Sequence, residues 1–122
     1  MSIKIKRIYD EPERSDGTRI LIDRLWPRGM SKEKAAIDEW MKEIAPSDKL
    51  RGWFGHKPER WAEFKKRYRK ELGDPEKKNM LETLKRVSRI STVTLLYSAR
   101  DDEHNNAVAL QGFLKSTSSS HK

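Results

Sequence analysis

The chain has no cysteine. That single absence excludes disulfides, thiolate metal sites and thiol nucleophiles. Long apolar runs are missing too, and nothing approaches the roughly 18 consecutive apolar residues of a membrane-spanning helix. At the amino terminus Ile3, Lys4, Ile5 and Lys6 alternate, where a secretory signal would place an unbroken apolar segment. A cytoplasmic location is the resulting expectation. Hydrophobic residues are scarce, 34% against 38% charged. Disorder is still not expected, because four Trp, three Tyr and three Phe supply large areas for burial. Acidic residues are in deficit, 19 against 27 Lys and Arg, for a net charge of +8. A basic surface draws anions and nucleic acid, although most of these cations are interspersed with acids, as on solvated helix faces. The length of 122 residues suits one domain with one core.

What is present is patterned. Ile3, Ile5 and Ile8 alternate with Lys4, Lys6 and Arg7, as in a half-exposed strand. Pro12 and the Asp16-Gly17 pair mark a turn, and Thr18 to Asp23 reads as a second strand. The turn permits a hairpin between the two strands without requiring one. Pro27 and Gly29 then stop regular structure. Ser31 is placed to cap a first helix, in which Ile37, Trp40, Met41 and Ile44 would share a face up to Pro46. Trp53 to His56 falls in a connecting segment. Pro58 opens a second helix with Trp61, Phe64, Tyr68 and Leu72 on one face, Lys65, Lys66, Arg67, Arg69 and Lys70 on the others, and Gly73 placed to close it. Asp74-Pro75 begins a third helix carrying Met80, Leu81, Leu84 and Val87. A third strand covers Thr92 to Tyr97. The last helix is expected from about Asp102, as its cap, to Leu114, and Ser116 to Lys122 reads as a disordered tail.

The expected fold is α/β: a small single-domain layer fold over residues 1–115, with a short, mostly parallel sheet flanked by about four helices. The second strand and Thr92 to Tyr97 should be parallel neighbours, because a long helical crossover joins them.

Three motifs carry a resemblance: DRLWPRG at Asp23 to Gly29, WFGH with PERW at Trp53 to Trp61, and LLYSARDDEHNNA at Leu95 to Ala107. Together they resemble the YeaO-like branch of the domain of unknown function 488 family, over nearly the whole chain. The resemblance implies no particular reaction. Some relatives carry regulator labels, but no winged-helix pattern is visible here. In the wider group a strand ends in Cys and an acidic turn leads to a His-Cys-His-Arg run. Against that pattern Tyr97 stands at the first Cys, and Asn105, Asn106 and Ala107 stand where Cys, His and Arg would be. Asp101, Glu103 and His104 match. Thiol chemistry is therefore not available to this chain.

If the second and third strands are parallel, their carboxyl ends share one sheet edge, where α/β proteins place ligands. Asp23, Arg24, Trp26, Arg28, Trp53, His56, Tyr97, Ser98, Arg100 and Asn105 are the candidate binding residues there. Arginine forks match phosphate and carboxylate geometry, and a tryptophan face can stack on a ring. The expected ligand is a small anion, phosphate-bearing or nucleotide-like, with no cofactor. For an enzyme, Asp101, Glu103 and His104 are the candidates for acid–base work. A metal site is not expected, since Asp101 and His104 lack enough companions beyond a distant His56. The alternative is a nucleic-acid-binding module using Lys65, Lys66 and Arg69 on the basic helix at 58–73.

Overall fold

The computed structural model describes residues 2–119. Four strands form one sheet: β1 (Ile3–Arg7), β2 (Thr18–Leu21), β3 (Glu39–Trp40) and β4 (Val93–Tyr97), in the order β1-β4-β2-β3. Every pairing is parallel. Ile20 lies opposite Leu95 and Leu21 opposite Leu96, so β2 and β4 are the parallel neighbours expected. No β1–β2 hairpin forms, because β4 lies between them. Five α-helices surround the sheet: α1 (Lys32–Ala35), α2 (Asp48–Phe54), α3 (Trp61–Glu71), α4 (Pro75–Ile90) and α5 (Asn106–Ser119). The arrangement is a single-domain α/β fold.

All five residues of β4 are buried, as befits a central parallel strand covered on both faces. On one face Ile20, Ile22, Val93, Leu95 and Tyr97 pack with Phe64, Tyr68, Leu84, Leu110 and Leu114. On the other Ile8, Leu21 and Leu96 meet Ala35, with Trp26, Met30, Ile37 and Trp40 packed around them. No helix among the described residues is long and apolar enough to cross a membrane.

Several expectations need correction. The helix predicted through Ile44 ends at Ala35, where Ala36 turns left-handed at φ 48°. Ile37 and Trp40 belong to one core and Met41 and Ile44 to the other. Helical spacing was thus imitated by a segment that crosses the sheet edge, pairs as β3, and feeds both sides. Trp53 and Phe54 lie inside α2, capped by Ser47 and closed by Gly55, whose φ is 51°. Gly73 has no positive φ, since α3 is capped by Leu72 in a right-handed conformation. Lastly, α5 starts at Asn106. Its cap is Asn105, whose side-chain oxygen accepts from the Val108 N–H, and not Asp102. The backbone of α5 continues to Ser119, through the start of the expected tail, and residues 120–122 lie outside the described residues.

Candidate functional site

The carboxyl ends of β2 and β4 open into a crevice of about 890 Å³. Ten of the sequence-predicted residues line it: Asp23, Arg24, Trp26, Arg28, His56, Ser98, Arg100, Asp101, His104 and Asn105. Glu103, Trp53 and Tyr97 do not. Glu103 is exposed on the outside of the turn. Trp53 is gripped by Arg60 and Arg67, whose guanidinium carbons lie 5.0 and 4.1 Å from its ring centre. Tyr97 is the inward end of β4, in the core. Burial, then the charge of Asp102, pushes the Tyr97 phenol above its ordinary pKa.

Asp23 ties the strand ends together. One carboxylate oxygen accepts from the Ser98 N–H (2.9 Å) and the Ser98 hydroxyl (2.6 Å), and the other accepts from the Asn106 amide (3.1 Å). It makes no salt bridge among the described residues. Asp101 is equally occupied. One oxygen accepts from the N–H groups of Glu103 (2.9 Å) and His104 (3.1 Å), and the other meets His104 Nδ1 at 2.9 Å. The Glu103 N–H and then His104 hold its pKa below the usual carboxylate value. The edge of Trp61 packs against the His104 ring, with centroids 5.3 Å apart.

The walls show a recurring device. Backbone carbonyls at a strand end point outward and would repel an anion. Here side chains cap them. Arg7 donates to Ser98 O (3.1 Å) and Ala99 O (2.9 Å). Arg24 donates to Ala45 O and Pro46 O, both at 3.2 Å. Asn106 caps Ile22 O, Trp40 caps Asp23 O, Tyr9 caps Arg28 O and Asn105 caps Asp101 O. Eight carbonyls around the crevice are thereby neutralised. Sequence reasoning missed Arg7, Tyr9 and Asn106 in this role. The only signal was Arg7 breaking the Ile alternation at the end of β1.

The crevice's cations are not all neutralised. Arg24 lies 4.0 Å from Asp48, and Arg51 pairs with Asp48 at 3.2 Å. Arg28 and Arg100 are exposed and have no acidic partner among the described residues. Two exposed apolar side chains, Tyr9 and Leu25, stand at the rim. His56 lines the wall in a left-handed conformation, φ 57°, directly after left-handed Gly55. A non-glycine residue held there costs about 1–3 kcal/mol, a cost that proteins often carry at ligand sites. Among the described residues no three His, Asp or Glu side chains are grouped to hold a metal ion.

The match to a family model, described as the inactive DUF488-N3 subclade, spans residues 2–122. The chain belongs to that subclade. It is similar to the uncharacterised protein YeaO of Escherichia coli, at 44% identity over 116 residues, covering 95% of this chain and 99% of that one. It is also similar to the uncharacterised protein Rv3073c of Mycobacterium tuberculosis, at 36% identity over 112 residues and 92% of each chain. No solved structure matches. In this DUF488-N3 chain the residues at the wider group's thiol positions serve the fold. Tyr97 fills the core, and Asn105, only 3% exposed, uses its oxygen as the α5 cap and its amide on Asp101 O.

The basic helix surface is a separate feature. Lys65 sits over the Trp61 ring (5.4 Å) and Arg69 over Phe113 (5.5 Å), while Lys66 is exposed. Arg67 pairs with Glu63 at 3.0 Å.

Proposed function

We propose that this protein binds a small phosphate-bearing, nucleotide-like anion in the strand-end crevice, and holds it without turning it over. The capped carbonyls carry the reading. A wall with eight backbone carbonyls capped by side chains, beside the guanidiniums of Arg28 and Arg100, which have no acidic partner among the described residues, favours a group rich in acceptor oxygens. The apolar rim of Tyr9 and Leu25 offers contact to a ring. Binding without turnover is supported by the description of the subclade as inactive. It is also supported by the chemistry of the acids. Asp23 and Asp101 have both oxygens engaged, and Glu103 lies outside the crevice.

Titration calorimetry with inorganic pyrophosphate tests the reading. Binding should weaken about tenfold or more when Arg28→Ala and Arg100→Ala are combined, since a charge-assisted hydrogen bond is worth roughly 1.5–3 kcal/mol. Absence of binding by both pyrophosphate and a nucleoside diphosphate at millimolar concentration would refute it. The nucleic-acid reading predicts retardation of single-stranded RNA or DNA that vanishes with salt and with Lys65, Lys66 and Arg69 neutralised together.

A further inference from the structure

We infer that His104 selects ligands carrying a hydroxyl beside the phosphate, so that the crevice takes a ribonucleotide in preference to a bare anion; this rests on the anion-binding reading above. Asp101 sets the orientation of the ring. Its carboxylate accepts from two backbone N–H groups with one oxygen, which fixes the turn, and presents the other to His104 Nδ1 at 2.9 Å. A carboxylate can only accept, so in the neutral ring Nδ1 carries the proton. Nε2 is left with a lone pair. The Trp61 edge against the ring holds the imidazole in place, and His104 lines the crevice.

The surroundings give this nitrogen its meaning. The neighbouring backbone acceptors are capped, and the Asp23 carboxylate is bonded through both oxygens. Arg28 and Arg100 supply donors for an anion. An Nε2 lone pair among such donors cannot face a phosphate oxygen favourably. It can accept from an O–H on the same ligand. A site that hydrogen-bonds a ligand hydroxyl discriminates against analogues that lack it, because the acceptor then loses that partner. His56 also lines the crevice, but it is exposed and no carboxylate sets its tautomer.

The test is calorimetry at about pH 8. The probes are ADP, its 2′,3′-dideoxy analogue and inorganic pyrophosphate. ADP should bind about tenfold more tightly than the dideoxy compound, the value of one well-made hydrogen bond. His104→Phe should erase that difference. His104→Asn, which keeps a donor toward Asp101 and lacks Nε2, should do the same. Nitrogen-15 NMR of the unliganded wild-type protein should show His104 protonated at Nδ1 and bare at Nε2. If pyrophosphate binds but ADP and its dideoxy analogue bind equally, or if His104 is protonated at Nε2, this inference is wrong and the anion reading stands. If neither pyrophosphate nor ADP binds, both fall together.

Discussion

The two ends of β2 use similar side chains for opposite purposes. Beneath its amino end Asp16 is 1% exposed and Arg19 4%. Arg19 bonds Asp16 and the carbonyls of Ala35 and Ala36, while Lys6 reaches Asp16 at 3.1 Å and Glu13 at 3.0 Å. The charges are matched, and the Asp16–Arg19 pair is sealed from water. At the carboxyl end Asp23 is held by neutral donors, Ser98 and Asn106; Arg7 and Arg24 are spent on carbonyls, Arg51 pairs with Asp48 at the surface, and Arg28 and Arg100 have no acidic partner among the described residues. A sealed ion cluster fixes a fold but has nothing to offer a ligand. An end whose acceptors are capped by its own side chains keeps a positive field for something else.

The largest expected effect lies at the sealed end. Asp16→Ala would leave Arg19 and Lys6 facing each other in a buried site. Breaking a buried pair this way costs about 3–5 kcal/mol, which urea denaturation would register. Asp23→Ala should cost less, about 2–3 kcal/mol, because its donors can turn to water in the open crevice. Equal losses at the two ends would undo the contrast.

Titration sharpens the same point. Burial opposes ionisation of Asp16, but the Glu13 N–H, Lys6 and Arg19 outweigh it and hold its pKa below the usual carboxylate value. Its folded pKa is therefore below the unfolded one. The stability it contributes is present above an unfolded pKa of about 3.9, and is lost as pH falls through the lowered folded value. Lys6 runs the other way. Burial works against its charge, yet Glu13 and Asp16 raise its pKa, so its contribution persists to about pH 10.4 and disappears as pH rises beyond. Denaturation midpoints across pH should show both losses in the wild type, with the acid loss missing in Asp16→Asn. The smallest effect belongs to Arg28→Ala with Arg100→Ala. Thermal stability should stay within about 0.5 kcal/mol of wild type, as for exposed side chains without partners.

Much of this was readable from residue order. The β-branched run at Thr92 to Tyr97 announced a central strand, and the crossover length announced its parallel pairing with β2. Ten of the candidate residues line the crevice at that sheet edge, though the pairing accounts for neither His56 nor Asn105. The failures share a cause. Ile37, Trp40, Met41 and Ile44 matched a helical period, but the period reports only which residues are apolar, and not that they serve two cores on opposite sides of a sheet. Asp102 looked like the better cap because Asp101 and Asn105 act through turn geometry that sequence spacing does not show.

Composition and spacing therefore settled the chain's class, its central strand and the edge where the candidate site residues gather, because burial and periodicity are local properties. Which arginine is free and which is occupied depended on the folded chain. Arg7, Arg24, Arg28 and Arg100 are the same residue in the sequence. Only the approach of Ser98, Ala99, Ala45 and Pro46 from distant segments separates those that cap carbonyls from those that remain open. Hydrogen bonds reach only about 3 Å, and only packing brings residues 91 or 92 positions apart within that reach.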